Sequence, residues 1–139
     1  AVVLFDLGKA TELSFLRKRS AQLFSKSRFI AAQFDAYFRD GLWLETARHA
    51  NAMAQRLAAA IDASARARLA WQPQANEVFA VIARKEAERM QAAGAAFYDW
   101  HPPAGFDGAI AENEALYRFV TSFATTPDAV DAFATLIAE

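Results

Sequence analysis

The chain has 139 residues, a length that fits one domain. It is 55% hydrophobic and 22% charged, as globular proteins are, and a formal charge of −1 excludes a global field drawing it to nucleic acid or a membrane surface. Having no cysteine, it has neither disulfide nor thiolate nucleophile, and no apolar run reaches the ~18 residues of a membrane span.

With no signal-peptide pattern, the expectation is a soluble cytoplasmic protein. Ala1 to Phe5, AVVLF, reads as an apolar strand that needs partners on both sides to satisfy its backbone. Because it starts inside such a strand, the chain is expected to be a piece of a longer protein. Asp6 to Gly8 turns it. From Ala10 to Phe24, the residues Leu13, Leu16, Leu23 and Phe24 follow helical spacing. Ser25 or Ser27 is the expected N-cap of a second helix, whose face is Ile30, Phe34, Tyr37 and Phe38 and which Gly41 ends. The Leu and Phe residues from Phe15 to Phe34 are expected in the core. A third helix, Leu42 to Ala63, repeats Trp43, Ala47, Ala50, Ala54, Leu57 and Ile61 at steps of four and three.

The period then changes. Arg68 to Trp71 reads as a short strand stopped by Pro73. Asn76 to Ala83 reads as a strand covered on both faces, with Val78, Ala80 and Ile82 on one and Phe79 and Val81 on the other. Lys85 to Ala93 is helical, and Gly94 suits the left-handed position after it. Ala95 to Trp100 and Leu116 to Phe123 read as two more strands, separated by His101-Pro-Pro and a polar loop over 104–114. A last helix has Thr126 as N-cap, Pro127 at its first position and Asp128 in its first turn. Helices gathered around a small, mostly antiparallel sheet make an α+β fold. The expected layout is one domain over 1–139: a strand at 1–6, a helical region at 10–63 and a sheet region at 68–139.

Four segments, RKRSAQLFSKSRFIAAQ, RHANAMAQRLA, QANEVFAVI and YRFVTSFATT, resemble in this order the C-terminal part of the low-specificity L-threonine aldolases. These are pyridoxal-phosphate (PLP) enzymes of the β-eliminating lyase family. The resemblance covers nearly all of the chain. It implies the small C-terminal domain of a fold-type-I PLP enzyme, with strand 1–6 belonging to the large domain before it. The parent would cleave threonine, allo-threonine or a related β-hydroxy-α-amino acid to glycine and an aldehyde, as a homo-oligomer. The family's Schiff-base lysine falls before Ala1. The chain alone is therefore expected to be inactive and to hold no covalently bound pyridoxal phosphate.

Family roles carry over at few positions. Arg118, in YRFVT, matches the arginine that holds the substrate α-carboxylate, and a planar guanidinium suits that task because it can make two parallel charge-assisted hydrogen bonds. Without the resemblance, a strand arginine followed by Phe-Val reads as a surface salt bridge. Ser25, Lys26 and Arg28 fall where the family places groups near the cofactor phosphate or the neighbouring subunit's active site. A helix start with a cation suits a phosphate dianion. The match departs here: Ser25 stands where the family has an arginine, with Lys26 taking over the charge, and these residues read as well as a solvated helix start. Arg17, Lys18 and Arg19 read as the charged face of an exposed helix. His49 and His101 lie too far apart, without a carboxylate pattern, to make a metal site. Lys85, in the charged helix KEAERMQ, is no Schiff-base candidate. No catalytic residue and no metal ligand is expected in this chain.

A rival reading is a stand-alone α+β binding or oligomerisation module that keeps a lyase small-domain fold. Nucleic acid is set aside, because the basic cluster is short and lacks interleaved exposed aromatics. A chain existing alone is expected to self-associate through its exposed apolar surface.

Overall fold

The computed structural model describes residues 4–138, which divide into two units, one ending at Leu42 and the other beginning at Trp43. In the first, the expected strand Ala1 to Phe5 has residues 1–3 outside the described range, and Leu4 and Phe5 lie in no strand. Asp6 caps one 3₁₀ turn, Leu7–Ala10, its Oδ1 accepting from the Gly8 amide at 3.0 Å. Helix α1 spans Leu13–Arg19 and stops short of the expected Phe24. Ala21 turns left-handed there (φ 55°), so the Ala21 amide donates to Lys18 O and the Gln22 amide to Arg17 O. Those two bonds satisfy carbonyls that the helix end leaves open, with alanine standing where glycine usually does.

Helix α2, Ser27–Phe38, begins after Lys26, not after either serine as a cap: the Lys26 side chain makes no cap hydrogen bond. It runs out through a 3₁₀ turn, Arg39–Gly41, where Asp40 and Gly41 both take positive φ. Phe15, Leu16, Leu23, Phe24, Phe29 and Phe34 were expected in the core, yet all are exposed. With seven and twelve residues, α1 and α2 present apolar stripes, and neither helix has a buried residue.

Helix α3, Leu42–Asp62, opens the second unit's core, burying Ala50, Met53, Ala54, Leu57, Ala58 and Ile61. Its stripe is the expected one from Ala50 onward. Trp43 and Ala47, before that point, are exposed. Four antiparallel strands follow in the order β1 (Ala67–Leu69), β2 (Glu77–Ala83), β4 (Glu114–Val120), β3 (Tyr98–Asp99). Helix α4 (Arg84–Ala92) leaves β2 with no loop, and Gly94 at φ 100° ends it, the Gly94 amide bonding Gln91 O and the Ala95 amide bonding Met90 O. Helix α5, Pro127–Ala138, has the expected cap: Thr126 Oγ1 accepts from the Ala129 amide at 3.2 Å.

Alternation along the strands sorts the side chains into two layers. Val78, Ala80, Ile82, Ala115, Tyr117 and Phe119 form one core with α3 residues and with Met90, Val130 and Ile137. Phe79, Val81 and Leu116 form a second, smaller core with Trp71 and Ile110. Thr121 locks the layers at the end of β4. Its buried hydroxyl donates to Ala50 O on α3 at 2.7 Å, while its amide donates to Asn76 O at 2.9 Å. A forked ion pair, Arg56–Asp131 with both contacts at 2.7 Å, joins α3 to α5. The α+β class with a small antiparallel sheet is as the sequence predicts.

Candidate functional site

Residues 114, 116, 118 and 120 of β4 face away from the helices, and this alternation sets Arg118 on the outer layer. Phe79 of β2 lies opposite it on one side and Tyr98 of β3 on the other. The Arg118 guanidinium stacks over the Trp100 ring, its carbon 4.1 Å from the ring centroid. Trp100 is held just past β3 by its own amide, which donates to Leu116 O at 2.8 Å. A planar cation over an indole face is attracted by the ring quadrupole and keeps its plane parallel to the ring.

Arg118 Nη1 donates to Glu77 Oε1 at 3.3 Å, and Nε is buried with no hydrogen-bond partner. Both readings of this arginine therefore have a footing in the geometry. It makes the salt bridge of a strand arginine, but a long, one-pronged one that leaves donor capacity unmet. The stack holds the fork in place on a side chain still 31% exposed.

The rest of this face is aromatic and charged. Trp71 and Phe79 rings lie 4.6 Å apart, and Phe79 meets Trp100 edge-on at 6.3 Å. At the far side Arg68 clamps Glu114 with contacts of 2.6 and 2.8 Å and also donates to Ala109 O. The Arg68 hydrogen bonds, aided by the Ala111 amide, hold the Glu114 carboxyl down at about 2. That pair pins the 104–114 loop to β1.

Ser25, Lys26 and Arg28 lie in the first unit, at the exposed start of α2. Arg28 sits 5.0 Å from the Phe29 ring. Their donor set, a hydroxyl, an ammonium, a guanidinium and helix-start amides, has the chemistry to take a phosphate. Arg17, Lys18 and Arg19 occupy the exposed last turn of α1, where cations suit the helix dipole. His49 is half-buried, and its Nε2 donates to Thr125 O at 2.7 Å, a bond between α3 and the turn before α5. His101 is exposed. All four lysines, Lys9, Lys18, Lys26 and Lys85, are exposed too. Among the described residues no cluster of three or more His, Asp or Glu side chains could hold a metal, and no helix is long and apolar enough to cross a membrane.

The sequence pointed to Arg118 and passed over Trp100 and Glu77. Their signal was the strand register, which sets Glu77 one alternation from Phe79 and brings Trp100 back beside Leu116.

No protein-family model matches the chain. Over 98 residues, 70% of its length, it is 33% identical to the low specificity L-threonine aldolase of Pseudomonas aeruginosa. The enzyme of the same name from another Pseudomonas species is 32% identical over the same share. The chain is related to one segment of the low-specificity L-threonine aldolases. It spans 28% of the length of both relatives. Its fold is that of part of a solved threonine aldolase from Leishmania major, with a TM-score of 0.77 at 24% identity, covering 91% of this chain and 34% of that one.

Proposed function

We propose that the chain is the C-terminal part of a PLP-dependent lyase of the threonine aldolase type, which cleaves threonine, allo-threonine or a related β-hydroxy-α-amino acid to glycine and an aldehyde. The observation that carries this is Arg118: its guanidinium is fixed on Trp100 in a chain 33% identical to a threonine aldolase over 98 residues.

In this reading Arg118 binds the substrate α-carboxylate and orients the amino acid, so that the bond to be broken is presented in one geometry. Trp100 holds the guanidinium over its ring and takes up its orientational freedom before substrate arrives. Ser25, Lys26 and Arg28 supply donors to the cofactor phosphate or to a neighbouring subunit's site. Pyridoxal phosphate, when bound, supplies the electron sink for the Cα–Cβ cleavage. In this reading the lysine that anchors it belongs to another part of the parent. Residues 1–139 then act as one C-terminal domain segment of a cytoplasmic homo-oligomer. The exposed Leu and Phe residues of α1 and α2 support assembly with the rest of such a protein.

The test is glycine release from L-threonine in the presence of pyridoxal phosphate. The 139-residue chain alone is expected to release none, and a longer polypeptide that carries it is expected to be active. In that polypeptide Arg118→Lys, which keeps the charge but loses the fork, should raise KM for threonine at least tenfold. Turnover by the chain alone, or an unchanged KM, overturns the reading.

A further inference from the structure

We propose that Glu77 is a built-in carboxylate for Arg118, occupying the guanidinium until an incoming carboxylate displaces it. The inference rests on the carboxylate-binding role just given to Arg118, and it adds a residue that tunes the affinity of that site.

The register makes the pairing. Glu77 stands opposite Val120 while Phe79 stands opposite Arg118, so Glu77 lies diagonal to Arg118 on the outer face, a gap long side chains can cross. The contact is one-pronged, 3.3 Å from Nη1 to Oε1, between side chains 31% and 45% exposed. Pairs of that kind are weak. The other arginine–carboxylate pair of this face is built differently. Arg68 grips Glu114 with both prongs of its fork, and Glu114 accepts a backbone amide as well. One pair is closed, and the other is poised for exchange.

Arg118 does not need Glu77 to stay in place. The Trp100 ring holds the guanidinium, its carbon 4.1 Å from the centroid, and the buried Nε has no hydrogen bond. A free carboxylate able to make two parallel bonds gains more than the single long bond it replaces. Once it has bound, Glu77 is a like charge beside it, which weakens binding without moving the arginine. Glu77 therefore keeps the empty site neutral and sets how tightly a carboxylate is held.

The experiment titrates the 139-residue chain with acetate, glycine and glycine methyl ester, following the Nε–H cross-peak of Arg118 in ¹H–¹⁵N spectra, identified by its loss in Arg118→Lys. Acetate and glycine are expected to shift it and the ester, which has no carboxylate, to leave it unmoved. Glu77→Gln should tighten acetate and glycine alike, about fivefold, the scale of a weak exposed pair. Glu77→Thr, which keeps a strand-favouring residue, should do the same if charge is the cause. Two results overturn the displacement while leaving Arg118 as a carboxylate site. One is affinity unchanged in both variants. The other is weaker glycine with unchanged acetate, which would make Glu77 a partner of the ammonium group. If neither carboxylate shifts the resonance in any of these chains, the reading of Arg118 falls and takes this proposal with it.

Discussion

Replacing Glu114 by glutamine keeps the shape of the Arg68 clamp and removes its charge. A carboxyl held at about 2 instead of 4.5 corresponds at face value to roughly 3 kcal/mol of folding free energy. Solvent reduces this, because Arg68 is 49% exposed and exposed pairs contribute far less than their unscreened value. The fork and the Ala111 amide bond place it above an ordinary surface pair, so we expect Glu114→Gln to cost about 1.5 kcal/mol at pH 7. The sign follows from the direction of the change. The folded-state value lies below the unfolded one, so the contribution is present in full above about pH 4.5 and is lost as pH falls toward 2. Urea unfolding followed by tryptophan fluorescence should show the variant's midpoint about 0.8 M lower at pH 7, for a slope near ~2 kcal/mol per M. The gap should close near pH 2. In an Arg68→Gln background, Glu114→Gln should have little further effect. A gap of the same size at pH 7 and pH 2.5 would refute the argument, since it would assign the loss to packing and not to charge.

Ile61→Ala removes a fully buried side chain between α3 and the sheet and should cost about 3 kcal/mol in urea unfolding; a loss below ~1 kcal/mol would mean the helix does not pack there as described. Thr121→Val leaves Ala50 O without the hydroxyl that bonds it, and a loss of about 1.5 kcal/mol is expected, with Thr121→Ser retaining most of the stability. The two left-handed helix ends predict opposite signs: Ala21→Gly should stabilise by about 0.5–1 kcal/mol and Gly94→Ala destabilise by about 1 kcal/mol, read as shifts in thermal midpoint. Trp100→Leu withdraws the ring beneath Arg118 and should weaken acetate binding two- to fivefold, on the order of a partly exposed cation–π contact; an unchanged affinity would show that the ring does not position the guanidinium.

Where local chemistry decides an element, the sequence was enough to read it. Thr126, Pro127 and Asp128 announce the start of α5 because each acts within one turn. The two-sided alternation of NEVFAVIA announces β2, since a strand covered on both faces must be apolar at both parities. Misreadings fell where the deciding interaction had no local marker. Helix α1 ends at an alanine in a conformation usually left to glycine, so its apolar spacing ran on past the true end. The serines before α2 looked like caps, yet Ser27 already lies in the first helical turn and Lys26 takes the position before it. Strand β3 covers only Tyr98–Asp99, opposite Arg118 and Tyr117, where Ala95 to Trp100 was expected.

The same division holds for the candidate site. From the sequence alone came the helical and strand periods and the α+β class, since these rest on residue type and spacing along the chain, while the choice of Arg118 came from the resemblance to the threonine aldolases. Sequence also carried the relationship to threonine aldolases, which comparison with the Pseudomonas relatives bears out. Only the tertiary structure decided what surrounds Arg118. Trp100 and Glu77 are 18 and 41 residues away along the chain, and strand register brings both onto the same face. It also left the apolar stripes of α1 and α2 exposed, because burial depends on what packs against a helix and not on the helix's own pattern.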